Sequence, residues 1–257
     1  MTLKESLEFL KRKFPQQNIL IPELDYDAGM MVPKLNPKYL FRGESKLYPC
    51  TQSFYERLIV QRQFNQMQWK EIGIVIIELS VHLTNKFHEI LQRGVPGRES
   101  IFTELSGYMQ HYGFPISRID FTSDINVAAF FAAKESIVGE RGKLCVIELS
   151  EWVKENRFEK LDKSLAKRPR EQNAFSLIIN PNNFDFKKSN RVFWIEFEFQ
   201  KEDSIFSAMK NYLSTADDKV ASEIIDYLER ELTAISDKNV ILFFKNILHG
   251  LKSEGKI

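Results

Sequence analysis

The sequence predicts an α+β protein: a mixed or antiparallel sheet core with helices packed on it and helical additions at both ends. One observation is period-two alternation. Phe193, Ile195, Phe197 and Phe199 alternate with Trp194, Glu196, Glu198 and Gln200, a strand with one wet face. A second is apolar spacing of helical period near the N-terminus, in the middle and over the last stretch of the chain. The third is order: the strands do not alternate with helices as βαβ units require.

Residues 2–14 carry Leu3, Leu7, Leu10 and Phe14 on one helical face, and Pro15 to Pro37 reads as a Pro-punctuated connector. Lys38–Glu44 is the first expected strand, with Leu40 and Arg42 on one face and Tyr39 and Phe41 on the other. Helices are expected at 51–62 and 66–91, the second with Ile76, Leu79, Leu83, Phe87 and Ile90 in register. A helix over 99–112 should stop at Gly113, with Pro115 just beyond. Then come a brief strand to Phe121, the cap candidates Thr122, Ser123 and Asp124, and an apolar helix over 125–133. Strands are expected at 142–150, 173–180 and 193–200, a short helix around Trp152, and a charged loop at 163–172. Helices close the chain at 202–213, 218–233 and 239–252. The organisation that follows is an N-terminal helix and connector (1–37), a core (38–200) and a helical segment packed on it (201–257).

In a chain of 257 residues, 36 basic against 35 acidic side chains leave a net charge of +1, so no electrostatic footprint for nucleic acid exists at whole-chain level. A hydrophobic share of 43% with 21 Phe fits a well-packed fold. Cys50 and Cys145 are too few for a disulfide framework and lack metal-ligand spacing; they read as small buried hydrophobes in a reducing cytoplasm. The opening MTLKESLEFLKRKF is amphipathic and charged, unlike a signal peptide, and Ile72–Leu79 is too short to span a bilayer. The expected location is cytoplasmic. His82 and His88 find no third ligand, so no metal is expected.

Candidate chemistry gathers in two blocks. Arg42, on a strand and followed by Gly43, is held stiffly where a ligand can approach closely, and its guanidinium suits phosphate or carboxylate; the structural alternative is an ion pair with Glu44. His111 with Asp120 could form a general base, or His111 could cap its helix end. Arg118 is a further cation of the same block. Glu196 and Glu198 read as the wet side of a strand.

"FRG" at Phe41–Gly43, "QHYGFPISRIDFT" at Gln110–Thr122 and "VAAFFA" at Val127–Ala132 resemble the signature blocks of the FRG domain family, over roughly residues 38–180. The family pattern is His-x-Gly-x-Pro-Thr-Arg-Leu-Leu-Asp-Trp-Thr. This chain departs from it at Ile116–Ser117 and at Phe121, and Arg118 stands one position later than the family's Arg, on the other face of a strand. The family's Arg…Gln-x-Gly-x-Phe block resembles Arg168–Phe175 with Asn173 in the glycine's place, which puts Glu171 at the Gln position, or Gln172 if one residue is skipped; the alternative is a solvated charged loop.

The order of these blocks is also similar to the Arg–Ser–Glu arrangement of ADP-ribosyltransferases. That likeness implies NAD as substrate. Arg42 would hold the phosphates, Thr122 and Ser123 would frame the nicotinamide, and Glu171 would stabilise the oxocarbenium-like state at the ribose. Three readings stand at this point. The first is an NAD-consuming transferase or glycohydrolase, as in a toxin or defence effector. The second is a module whose pocket (Arg42, His111, Arg118) holds a nucleotide, nucleic acid or peptide without chemistry. The third is a His111-based hydrolase. The partners expected are a small nucleotide ligand and a protein or nucleic-acid target, with no membrane.

Overall fold

The computed structural model describes residues 1–25, 29–48, 53–87, 98–153, 157–161, 165–178 and 189–254. Cys50, His88, and the ends of the expected helix at 88–91 and strand at 179–180 lie outside the described residues. The architecture is α+β, and both of its sheets are antiparallel.

The chain opens with helix α1 (Leu3–Lys13), closed at its N-terminus by a Thr2–Glu5 capping box. Strands β1 (Asn18–Asp25) and β2 (Met30–Pro37) follow as a hairpin, where the sequence reads as a connector. Proline punctuation hides it. Pro22 stands opposite Pro33 in the register, a position where neither strand requires the other's N–H, and a two-stranded ribbon leaves its outer N–H groups to solvent.

The main sheet contains β3 (Tyr39–Glu44), β4 (Ile119–Thr122), β5 (Arg141–Glu148), β6 (Arg157–Lys160), β7 (Ala174–Ile178) and β8 (Val192–Glu198), in the order β6-β7-β4-β3-β5-β8. One face (Phe41, Leu144, Val146, Phe197) is covered by Leu3, Leu7 and Leu10 of α1 and by an apolar helix at Ile125–Ala133. The other (Leu40, Cys145, Ile147, Phe121, Phe175) packs against Ile21 of the hairpin and Trp152. The sheet has a seam. β3 pairs with β5 along its length and β4 with β7, but β3 and β4 register only through Phe41 opposite Thr122.

In chain order the remaining helices are α2 (Phe54–Val60), α3 (Gln66–Lys86), α4 (Arg98–His111), α5 (Ile125–Ala133), α6 (Leu149–Trp152), α7 (Lys167–Glu171), α8 (Ser204–Ser207), α9 (Lys219–Glu231) and α10 (Lys238–Glu254). β6 and α7 flank and occupy what the sequence reads as a charged loop. The expected helix at 202–213 is broken into α8 between two 3-10 turns. Helices α3, α4, α9 and α10 share one buried cluster, with Leu79, Met109, Ile224 and Phe244 at its centre. Among the described residues no helix is long and apolar enough to cross a membrane.

Candidate functional site

Two local devices place the site. Helix α4 ends in a Schellman motif: Phe114 N–H donates to Met109 O (3.2 Å) and Gly113 N–H to Gln110 O (3.0 Å), with Gly113 at φ +90°. The turn fixes Gln110 and His111 on the last helical turn, while buried Phe114 and Met109 anchor it from below. Helix α5 begins at Asp124, whose carboxylate accepts from Asn126 N–H (2.8 Å). Of the three cap candidates it is therefore Asp124 that caps. Thr122 is buried and locks the loop instead, accepting from Asp124 N–H (2.9 Å) and donating to Gln172 O (2.7 Å).

A cleft of about 580 Å³ opens at the seam, within the range of small-molecule sites. Its walls are Phe41–Glu44 of β3 with Ser45 just beyond, Arg57 from α2, Gln110–Gly113 at the end of α4, Asp120–Thr122 from β4 and one face of α5. Arg168 and Gln172 close it from α7, and α10 contributes Asn246 to Glu254 on one side.

Arg42 bridges the seam. Its Nη1 donates to Asp120 O (2.9 Å) and its Nε lies 3.5 Å from the buried Glu44 carboxylate. The Arg57 guanidinium stands near it, and burial, followed by the charge of Arg42, pulls Arg57 below its ordinary value. Two guanidiniums thus face one cleft. Glu44 and Asp120 partly balance them.

His111 is almost enclosed. The Gln172 amide donates from Nε2 to Tyr212 O (2.7 Å), so its oxygen must accept, and the His111 Nδ1 at 2.8 Å must carry the proton. His111 Nε2 faces Asp120 Oδ1 at 3.5 Å, while Gln110 Nε2 donates to Asp120 Oδ2 at 2.5 Å. Arg168, 5% exposed, donates from Nη1 to His111 O (3.0 Å) and pairs through Nη2 with Glu254. Among the described residues Gln110 Oε1, His111 Nε2, Asp120 Oδ1 and Arg168 Nε are enclosed with no hydrogen-bond partner, and all four belong to cleft-lining residues.

Of the residues singled out from sequence, Arg42, Gly43, His111, Thr122 and Gln172 line this cleft, whereas Ser123, Arg118 and Glu171 do not. Gly43 also meets a close approach from within the fold. A Cβ on it would sit 1.9 Å from Ala128 O and 2.7 Å from Ala132 N, so what comes close is the backbone of α5. Arg118 is buried against Glu159 (2.7 Å) and Ser176 Oγ (3.3 Å). Ser123 is half-buried and donates its N–H to Asn173 O (3.2 Å). Glu171 is exposed, 3.6 Å from Arg170, and Glu196 pairs at the surface with Arg141 and Lys143. Asn173 adopts φ +45°, the left-handed conformation a glycine takes readily, which accounts for the glycine-to-Asn exchange in that block.

Sequence reasoning missed Arg57 and Glu254, and it gave Arg168 no role. The signal for Arg168 was its place at the head of the Arg…Gln-x-Gly-x-Phe-like block. Among the described residues no three His, Cys, Asp or Glu side chains gather as metal ligands do.

Residues 37–140 match the sequence profile of the FRG domain. The chain carries an FRG domain. Comparison with curated proteins and with solved structures gives no match. The matched segment supplies the β3, α4, β4 and α5 walls of the cleft; Arg168, Gln172 and α10 lie beyond it.

Proposed function

We propose that the cleft of this FRG domain binds an anionic ligand of the nucleotide class, with Arg42 and Arg57 at its phosphates. The observation that carries the reading is that two guanidiniums, Arg42 and Arg57, line one cleft whose wall also holds enclosed polar atoms without a hydrogen bond. Enclosed donors and acceptors without partners are costly, on the order of 1–3 kcal/mol each, and a protein keeps them where a bound molecule or ordered water completes the network. The paired guanidiniums add the sign of the charge: burial and then the charge of Arg42 hold Arg57 below its ordinary value, and a phosphate between them offsets the repulsion. NAD belongs to this ligand class.

The reading is one of binding without turnover. Cleavage of the nicotinamide–ribose bond needs a carboxylate at the ribose, and Glu171 does not line the cleft. A His111 hydrolase needs an accessible ring nitrogen, and Nδ1 is tied to Gln172 while Nε2 is enclosed against Asp120.

The test is calorimetric titration of the full chain with NAD, ADP, AMP and pyrophosphate, alongside an assay for released nicotinamide. Binding that weakens roughly tenfold in Arg57→Gln, with no nicotinamide released, supports the reading. No heat from any of the four, or undiminished affinity in Arg57→Gln, overturns it. Nicotinamide release that persists in Glu171→Gln and stops in Asp120→Asn replaces binding with NAD cleavage at a different carboxylate.

A further inference from the structure

We propose that Arg168 and Glu254 form a positioning pair through which the C-terminal helix sets the His111–Gln172 wall of the cleft, so that α10 is part of the ligand site although the FRG match ends at residue 140. The proposal rests on the reading of the cleft as a ligand site.

Arg168 is a side chain that joins three cleft elements. Its Nη1 donates to the carbonyl of His111 at the last turn of α4 (3.0 Å), and a cation is favoured at that end of a helix. Its Nη2 pairs with the Glu254 carboxylate on the last described turn of α10. Its own main chain is pinned: Arg168 N–H donates to Asp218 Oδ2 (2.9 Å), the oxygen that also accepts from Tyr112 O–H (2.6 Å). The guanidinium lies 5.5 Å from the centre of the Tyr112 ring. Four residues along from Arg168, Gln172 holds His111 Nδ1, so the same short helix touches both ends of His111, its carbonyl and its imidazole.

Glu254 holds the end of the guanidinium opposite His111 O. It is the only carboxylate paired with Arg168 among the described residues, and it reaches the cleft from the far side of the chain. Arg168 Nε, enclosed and without an acceptor, shows that the pose is set by Nη1 and Nη2 and not by the guanidinium's full donor set. Loss of Glu254 therefore leaves Arg168 a buried cation seeking another acceptor, and the nearest consequence is a changed hold on His111.

The experiment uses the full chain as wild type, Glu254→Ala and Glu254→Gln, with two readouts. The first, without ligand, is the pair of imidazole nitrogen resonances of His111, with His82 and His249 as internal references. The second is pyrophosphate affinity by calorimetry. Glu254→Ala should shift both His111 resonances, leave those of His82 and His249 in place, and weaken pyrophosphate binding roughly tenfold. Glu254→Gln keeps an acceptor oxygen and should restore most of both. Unmoved His111 resonances in folded Glu254→Ala overturn the pair, as does a shift with unchanged affinity. A wild type that binds no pyrophosphate and no nucleotide overturns the ligand reading separately, because the resonances need no ligand.

Discussion

Gly43 offers the sharpest test of how the FRG tripeptide works. A Cβ at this position would lie 1.9 Å from Ala128 O, 2.7 Å from Ala132 N and 2.9 Å from Ala132 Cβ. Ordinary contact needs roughly 3.4 Å, so Gly43→Ala requires β3 and α5 to part by roughly 1.5 Å. The receiving atoms are backbone and cannot rotate away. Helix α5 is buried at Ile125, Val127–Phe130, Ala132 and Ala133, so moving it loosens its contacts with α1 and β5 as well. Overpacking typically costs about 1–3 kcal/mol, and a clash of main chain with main chain belongs at the upper end, about 3 kcal/mol. In a domain of this size that lowers the melting temperature by roughly 6–12 °C. Gly73, in α3 with nothing within 4 Å of its absent Cβ, is the control. Gly73→Ala should raise stability by about 0.5–1 kcal/mol through helix propensity alone. Thermal and urea denaturation of both variants decide the matter. Gly43→Ala melting within about 2 °C of wild type would refute the packing argument and return Gly43 to the ligand.

Glu171→Gln should change stability by less than about 0.5 kcal/mol, as surface substitutions do, and leave cleft affinity untouched by calorimetry. Gln172→Ala, one residue on, strands the His111 Nδ1 proton and Tyr212 O, so urea denaturation should register a loss of about 1–3 kcal/mol. Arg118→Met removes the guanidinium from the largely covered Glu159 and should destabilise by about 1–3 kcal/mol, and adding Glu159→Gln should recover part of it; equal losses in the single and double variants would show that the pair is not coupled. Burial, and then Asp218, holds the Tyr112 phenol well above its ordinary value of 10.0. A phenol raised by folding contributes stability below pH 10.0 that is lost as pH rises further, so stability should fall in that alkaline window, less steeply in Tyr112→Phe.

The stretch from Arg98 to Ala133 was legible because its information is local. A glycine at a helix end, a cap and an all-apolar helix each act within a few residues, and the Schellman turn and the Asp124 cap are where the pattern puts them. The hairpin at 18–37 was not, since prolines argue against strands unless their opposite numbers are known, and register is not a local property. Arg168 looked like one charge in a charged loop because its partners, His111 and Glu254, lie far away in sequence on both sides. Glu171 and Gln172 are neighbours that differ in orientation. The short helix α7 sends the first to solvent and the second inward, and no residue pattern announced a helix of five residues around a proline.

The seam gives the molecule a mechanical character that a continuous sheet lacks. Three strands on each side form a stiff slab, and the slabs touch through one cross-strand couple plus a guanidinium reaching over the gap. Anything wedged against that guanidinium and the opposite slab acts as a rivet. Its arrival should be felt first as slower amide hydrogen exchange at Phe41 and Thr122, the two residues on which the join depends.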